Sequence, residues 1–269
     1  MKVNGAELHV EDTGGGGPVL LFVHGLLWSG RMFAPQIAAL RGSFRCVAID
    51  LRGQGQSELS RRGYGMDALA ADVAAVIEQL ALAPVHYAGL SMGGFIGLRL
   101  AARRPELIRS LTLIDTAADR EPRLNIPKYL AMGLVGRALG FRPLLGQVMR
   151  VMFGDSFLHD PSRAAERDRL RVELLRNRPK GAQRATNGVI LRRPVEGELH
   201  KIRVPTLMIS GAEDKAIVPA RSKRTAALIP GARFVSIPRA GHSSTLEEPE
   251  AVTAALREFL GSVTGDPAR

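Results

Sequence analysis

Cysteine is nearly absent from this sequence of 269 residues, which contains only Cys46. A single cysteine excludes an intramolecular disulfide framework and a metal site built from several cysteines. No apolar run approaches the roughly 20 residues that a membrane-spanning helix needs. The first residues, Met1–Gly5, also lack the apolar core and the small-residue cleavage site of a signal peptide. These absences predict a cytoplasmic protein with no membrane span, no metal site and no cofactor.

Acidic residues are scarce in one part of the chain. The formal net charge is +11, and residues 119–195 contain 16 Arg or Lys against seven Asp or Glu. The positive electrostatic field of such a segment favours binding to nucleic acid, to an acidic membrane surface or to an anionic substrate. The basic residues are not interleaved with aromatic residues, and no nucleic-acid-binding motif accompanies them. We therefore expect a solvated basic surface and no nucleic-acid partner, with steering of an anionic small molecule as the functional alternative.

Short apolar, β-branched runs alternate with apolar residues at helical spacing. The predicted strands are Leu8–Glu11, Val19–Val23, Arg45–Asp50, Val85–Gly89, Leu111–Ile114, Val204–Ser210 and Arg233–Ile237. The predicted helices outside the basic segment are Met66–Leu82, Phe95–Arg104, Val218–Ile229 and Glu248–Leu260. Continuous apolar runs are typical of strands covered on both faces, as in a mostly parallel sheet. The alternation therefore predicts a doubly wound α/β fold, with Cys46 in a buried strand.

Residues 119–200 interrupt this alternation with six prolines and with short helical patterns. Two such patterns are Tyr129–Leu139 and Ser162–Asn177. Because the strand pattern resumes afterwards, we expect an inserted helical cap rather than a separate second domain. The predicted core then comprises residues 1–118 and 201–269. We expect its last residues, Gly261–Arg269, to form a frayed tail.

A Gly-x-Ser-x-Gly turn lies between a predicted strand and a predicted helix. The serine is Ser91, and Gly89 and Gly93 flank it at two residues on either side. A nucleophilic serine at such a position needs a sharp, strained turn with small neighbours, and Gly94 lets the helix approach the sheet closely. The helix N-terminus also directs N–H groups towards developing negative charge. The pattern predicts that Ser91 is a nucleophile, the alternative being a glycine-rich turn with an incidental serine.

A nucleophilic serine needs a base, and the best placed of six histidines is His242. It follows the last predicted strand, where Gly241 permits a tight loop at the edge of the sheet at which ligands of open α/β sheets bind. The others lie within strands, in the loop after the second predicted strand, or in or beside the irregular segment: His9, His24, His86, His159 and His200.

An acid must orient the imidazole, and Asp214 is the favoured candidate. It follows the predicted strand Val204–Ser210 and precedes His242 in the chain. The order Ser91, Asp214, His242 is the one expected when a serine occupies this kind of turn. Asp115, which ends the preceding strand, is the alternative acid, whereas the neighbouring Glu213 is expected to point elsewhere in the loop.

An oxyanion hole needs two backbone donors. One is expected to be the N–H of Met92, directly after the nucleophile. The other is expected from Leu26, because Gly25 lets the backbone of the loop after the second predicted strand turn inward. In the same loop we expect His24 to be a structural hydrogen-bonding residue. Trp28 is expected either to line the substrate pocket or to pack under the inserted segment.

Together these segments resemble the α/β-hydrolase superfamily from about Gly5 to Leu260. The matching residues are His24–Gly25, Asp50–Ser57, Gly89–Gly94, Gly211–Asp214 and Gly241–His242. The resemblance implies the α/β-hydrolase fold, a Ser-His-Asp triad and a cap domain corresponding to residues 119–200. The Asp50–Ser57 stretch is similar to the family's Asp-x-Arg-Gly-x-Gly-x-Ser turn, which implies structural support behind the active site. Gln54 stands where a histidine is often found.

The subfamily is less well defined. Ser91 stands where haloalkane dehalogenases and epoxide hydrolases carry aspartate, which argues against both. The Gly89–Gly94 turn is similar to that of 3-oxoadipate enol-lactonases, although the His24–Trp28 loop differs. Cofactor-free perhydrolases have a similar turn but place phenylalanine where this chain has Leu90. We expect a carboxylesterase-like hydrolase that acts on a small ester or lactone, with enol-lactonase-like, perhydrolase-like and non-catalytic ligand-binding proteins as alternatives.

Overall fold

A mostly parallel sheet forms the centre of the computed structural model, which describes residues 1–264. The strands are β1 (Lys2–Val3), β2 (Ala6–Glu7), β3 (Val10–Asp12), β4 (Val19–Val23), β5 (Arg45–Ile49), β6 (Val85–Leu90), β7 (Ile108–Ile114), β8 (Thr206–Gly211) and β9 (Arg233–Ile237). The first two form a separate antiparallel hairpin, and the other seven form one sheet of order β3-β5-β4-β6-β7-β8-β9. Within the seven-stranded sheet of the described residues, only β3 runs antiparallel to its neighbour. The predicted sheet is confirmed.

Helices cover both faces of this sheet. The helices are α1 (Ala34–Leu40), α2 (Met66–Gln79), α3 (Met92–Arg103), α4 (Ile126–Leu139), α5 (Leu145–Met152), α6 (Asp155–His159), α7 (Ala164–Leu175), α8 (Pro179–Ile190), α9 (Pro219–Ala227), α10 (Ser244–Glu247) and α11 (Pro249–Thr264). Successive strand residues alternate between two buried clusters: Leu21 and Val23 pack with α2, α3 and α9, whereas Leu20 and Phe22 pack with α1 and α11. The doubly wound α/β arrangement and the burial of Cys46 are therefore confirmed.

Several predicted element boundaries are wrong near the ends of the chain. Leu8 is not in a strand, because its N–H donates to the carbonyl oxygen of Met1 and the N–H of His9 donates to Ser57 Oγ, so pairing with β5 begins only at Val10. Helix α1 was not predicted, since only two of its seven residues are buried and its apolar pattern is correspondingly short. The frayed tail was predicted to start at Gly261, but α11 continues through Thr264. Residues 265–269 of that predicted tail lie outside the described part of the chain.

Residues 119–200, between β7 and β8, form helices α4 to α8 and contribute no strand. A buried ion pair fixes the two ends of this segment, since Arg192 Nη1 lies 3.2 Å from Glu121 Oε2. The same guanidinium lies over the ring of Phe95 in α3, 4.1 Å from its centroid. Within residues 1–264 no helix is both long and apolar enough to cross a membrane.

The parallel strands bring several loops to one edge of the sheet. The carboxyl ends of β4, β6, β7, β8 and β9 lie side by side, in an order set by the strand pairing. The loops that leave these ends carry His24, Ser91, Asp115, Asp214 and His242. This is the edge at which open α/β sheets bind their ligands.

Candidate active site

Ser91 occupies a strained turn between β6 and α3. Its backbone has φ +50° and ψ −106°, in a region that a residue with a side chain rarely adopts. Glycine is required on both sides: a Cβ at Gly93 would clash with the carbonyl oxygen of Val23, and one at Gly89 with the backbone of Gly93. The N–H of Ser91 donates to the carbonyl oxygen of Ile114, 2.7 Å away, which fixes the turn against β7. The turn presents the serine hydroxyl at the edge of the sheet.

His242 connects Ser91 to Asp214. Its Nδ1 lies 2.8 Å from Asp214 Oδ2, and its Nε2 lies 2.8 Å from Ser91 Oγ. Because the carboxylate accepts the Nδ1–H, the neutral ring has Nε2 free to accept the serine O–H. The other oxygen of Asp214 accepts the N–H groups of Ala216 and Ile217, at 2.8 and 2.9 Å. All three residues are buried, which limits competition from water for these bonds.

The surrounding charges favour the protonated form of His242. Burial, the largest single effect, lowers the pKa of the imidazole, but the charge and hydrogen bond of Asp214, together with Asp115 and Glu247, raise it by more. The net effect raises the pKa of His242 above its ordinary value. The site is therefore arranged to accept a proton on His242 and to stabilise the resulting imidazolium.

Asp115, the alternative acid, makes a different set of contacts. One of its oxygens accepts the N–H of Gly211 at 2.7 Å, and the other accepts the hydroxyl of Ser244 at 2.6 Å. Burial and the nearby charge of Asp214 raise the pKa of Asp115 to about 8. It therefore ties the end of β8 to the loop that carries His242 and does not contact the imidazole.

A buried carboxylate that sequence analysis missed, Glu247, joins the inserted helices to the His242 loop. Its oxygens accept the N–H groups of Gly154, Gly241 and Ser243, at 2.7, 2.9 and 3.1 Å. Glu213 makes a similar link, since it accepts the N–H of Ser156 at 2.8 Å. Burial raises the pKa of Glu247 to about 7. In the sequence Glu247 is one of two adjacent glutamates, and nothing there distinguishes the buried one.

We expect Glu247→Ala to lower the free energy of unfolding by about 3 kcal/mol, because three buried N–H groups lose their acceptor. The adjacent Glu248→Ala provides the control. The carboxylate of Glu248 is partly exposed and lies 3.9 and 3.8 Å from Arg163 and Arg239, so its loss should cost less than about 1 kcal/mol. Urea unfolding followed by circular dichroism measures both changes, and equal costs for the two variants would contradict this account.

The two residues predicted to donate to an oxyanion lie in the loop after β4 and at the start of α3. Within residues 1–264 the N–H of Leu26 has no hydrogen-bond partner, and Met92 opens α3, where first-turn N–H groups lack intrahelical acceptors. Leu27 has φ +68°, and its N–H donates to Gln54 Oε1 at 2.7 Å. Gln54 thus fixes the conformation of this loop directly. The residue before Leu26, Gly25, lies against Ser91: a Cβ there would be 3.5 Å from the serine Cβ.

Trp28 and the histidines other than His242 were the remaining candidates, and those described below lie outside the contacts of the Ser91–His242–Asp214 series. Trp28 is 2% exposed and packs edge-on against Phe153, with ring centroids 6.1 Å apart, which is the contact expected if it packs under the insertion. His24 is buried, which lowers its pKa, and its Nε2 accepts the N–H of Leu51 at 2.9 Å. His86 is buried on β6 beside Ser110, and the histidines of the basic segment and its border, His159 and His200, are exposed.

Comparison with known proteins identifies the family. The sequence profile described as the alpha/beta hydrolase fold matches residues 18–249. A thermophilic esterase from Thermogutta terrifontis, solved with bound malate, is 30% identical, with a TM-score of 0.88 over 96% of this chain and 94% of that one. The enol-lactonase from Burkholderia xenovorans LB400 is 31% identical, with a TM-score of 0.88 over 96% and 98%.

A further relative has a name that states its substrate. The pimeloyl-[acyl-carrier protein] methyl ester esterase of Neisseria meningitidis serogroup A is 28% identical over 247 residues, which are 91% of this chain and 77% of that protein. Relatives of this kind support a hydrolytic enzyme. With the family profile spanning both halves of the sheet and the segment between them, this chain belongs to the α/β-hydrolase family.

Proposed function

We propose that this protein is a serine hydrolase that cleaves a carboxylic ester or lactone of a small molecule through an acyl-enzyme intermediate. The observation that carries the proposal is the buried series of two 2.8 Å contacts from Ser91 through His242 to Asp214. A serine hydroxyl is a weak nucleophile until an adjacent base accepts its proton, and the base needs a third group to orient it. Relatives named as esterase and enol-lactonase support ester and lactone substrates.

The reaction proceeds in two steps. In the first, His242 Nε2 takes the proton of Ser91 as the serine oxygen attacks the carbonyl carbon, and the N–H groups of Leu26 and Met92 stabilise the oxyanion. Asp214 stabilises the imidazolium, which then gives its proton to the leaving alkoxide. In the second, a water molecule loses its proton to His242 and attacks the acyl-enzyme, which releases the acid and restores Ser91.

We assign residues 119–200 as a cap over this site. The assignment is supported by hydrogen bonds from the segment to three of the loops around Ser91 or to residues that hold them. Asn177 Nδ2 donates to the carbonyl oxygen of Leu27 at 2.8 Å. The N–H of Gly154, before α6, donates to Glu247, and the N–H of Ser156, in α6, donates to Glu213. Because each of these loops holds a proposed catalytic group, the cap stabilises the arrangement of the site as well as covering it.

A panel of small substrates tests the proposal. We expect turnover of p-nitrophenyl acetate and of simple lactones without any added cofactor. Peracid formation from acetate and hydrogen peroxide, assayed in parallel, measures the perhydrolase alternative. If the purified enzyme forms peracid but hydrolyses no ester or lactone, the proposed reaction is wrong.

The pH dependence of the reaction follows from His242. The base must be neutral, so kcat/KM is expected to rise with pH as the imidazole loses its proton and to fall on the acidic side. Because the neighbouring carboxylates raise the pKa of His242, the midpoint should lie above the ordinary histidine value of about 6.5. A profile of kcat/KM for an uncharged ester measures the midpoint. A midpoint below the ordinary value would contradict the electrostatic account.

A further inference from the structure

An apolar cavity lies between the cap and the loop after β4, which contains the proposed oxyanion donor Leu26. Its volume is about 100 Å³. Helices α4, α5 and α8 supply most of its wall, and the remainder comes from Leu26 and Leu27 and from Phe141 and Leu144 between α4 and α5. The wall is largely hydrocarbon, as at Met132, Val148 and Ala182, and no charged residue of the described chain lines it. The cavity therefore fits an uncharged aliphatic group.

The cavity adjoins the reaction centre through Leu26. Leu26 lines the cavity, and the preceding residue of the same loop, Gly25, lies against Ser91. A chain attached to a carbonyl carbon at Ser91 can thus extend past Leu26 into this space.

Three arginines of the cap have partners outside the cavity. Arg192 is paired with Glu121, and Arg184 Nη1 donates to the carbonyl oxygen of Ser60 at 2.6 Å. Arg178 donates to backbone oxygens of the Asp50–Ser57 turn. None of these guanidinium groups lines the apolar cavity among the described residues. A carboxylate carried into the cavity would lose its hydration without gaining a cation.

We infer that this cavity binds the acyl chain of the substrate and that the chain is aliphatic and uncharged. The inference rests on the proposed function, since it assigns the acyl side of the same ester. It differs from the anionic small molecule that the sequence analysis kept as an alternative. Each methylene that enters the cavity should raise kcat/KM about fourfold until the cavity is full.

A chain-length series in the wild-type enzyme provides the first test. We expect kcat/KM to rise from p-nitrophenyl acetate through the butyrate to the hexanoate, and to be at least about tenfold lower for the hemisuccinate than for the uncharged ester of equal length. A flat series, or a preference for the hemisuccinate, overturns the inference. If acetate is still hydrolysed in a Ser91-dependent manner, the proposed function stands. If the enzyme turns over no ester and no lactone, both the proposed function and the inference about the acyl chain are overturned.

Gly133 in α4 offers a way to fill the cavity without disturbing the triad. It lines the cavity, and a Cβ there would make only an ordinary contact, 3.5 Å from Gln183 Cγ. We expect Gly133→Val to lower kcat/KM for the hexanoate by about tenfold while the acetate changes by less than about twofold. Gly133→Ala should give a smaller loss of the same kind. An equal loss for both esters in a folded variant overturns the inference.

Gly146→Val is the matched control. Gly146 is also a helical glycine of the cap, in α5, but it is exposed and does not line the cavity. Its chain-length profile should match that of the wild type. Circular dichroism and thermal unfolding of all three variants show whether each is folded. If Gly146→Val changes the profile as much as Gly133→Val does, the cavity is not the acyl site.

Discussion

Ser91→Ala is expected to lower kcat for ester hydrolysis by a factor of about 10⁴ or more. The substitution removes the only atom that His242 Nε2 contacts in the turn, at 2.8 Å, and with it the proposed nucleophile. It should leave the fold intact, because the turn is held by backbone bonds and by its flanking glycines rather than by the hydroxyl. Steady-state hydrolysis of p-nitrophenyl acetate by the two purified proteins measures the effect.

Ser262→Ala is a matched control for this experiment. Ser262 is exposed on α11, and its hydroxyl donates within that helix to the carbonyl oxygen of Phe259. Its kcat should equal that of the wild type within about twofold. If Ser91→Ala retains more than about a tenth of the wild-type rate while remaining folded, another group performs the reaction.

Asp214→Asn is expected to lower kcat by about 10⁴ as well. The asparagine side chain has nearly the same shape, but its amide nitrogen cannot accept the Nδ1–H of His242 as the carboxylate does. The ring then favours the tautomer in which Nε2 carries the hydrogen and cannot accept the proton of Ser91. Loss of the charge also removes the main source of imidazolium stabilisation.

Asp115→Asn separates the two acids. Because burial and the nearby charge of Asp214 raise the pKa of Asp115 to about 8, this site favours the neutral form of the side chain, and an amide of similar shape can take its place. We expect the variant to keep kcat within about tenfold of the wild type. Parallel measurement of kcat for Asp214→Asn and Asp115→Asn at one pH compares the two directly. The reverse order of effects would assign the orienting role to Asp115.

Much of the fold follows from local sequence pattern. Strands β4 and β9 both begin and end where the sequence predicts; β4 is almost fully buried, as its continuous apolar run indicates. Helix α2 is similarly clear, since its buried residues recur at helical spacing over four turns. The antiparallel strand β3 was predicted to start two residues too early, and the short helix α1 was not predicted. Both are short, and tertiary contacts such as the bond from His9 to Ser57 determine where they start.

The site was predictable only in part. Ser91, Asp214 and His242 each follow a strand, and parallel strands bring their carboxyl ends to one edge, so their proximity follows from topology. The role of Glu247 in joining the cap to the His242 loop was not predictable. It depends on the backbone of residues 154 and 241, which are far apart in sequence and come together only in the fold.

The apolar lining of the cavity proposed for the acyl chain could not be predicted, for a related reason. Composition shows that the cap is basic, but it does not show which side chains face inward. In the structure Arg178, Arg184 and Arg192 bond to backbone oxygens or to an acidic partner, while residues such as Met132 and Val148 line the cavity. Pocket polarity is therefore set by how three cap helices pack over Leu26, which the spacing of residues along the chain does not encode.

The most direct test of the central claim is reaction with a fluorophosphonate, followed by mass spectrometry of the intact protein and of its peptides. An activated serine attacks phosphorus and displaces fluoride, so the wild-type protein should gain one phosphonyl group, located on Ser91. Labelling should be lost in Ser91→Ala and should slow by about 10³-fold or more in a His242→Ala variant. A wild-type protein that stays unlabelled, or that is labelled elsewhere, would contradict the claim that Ser91 is a nucleophile activated by His242.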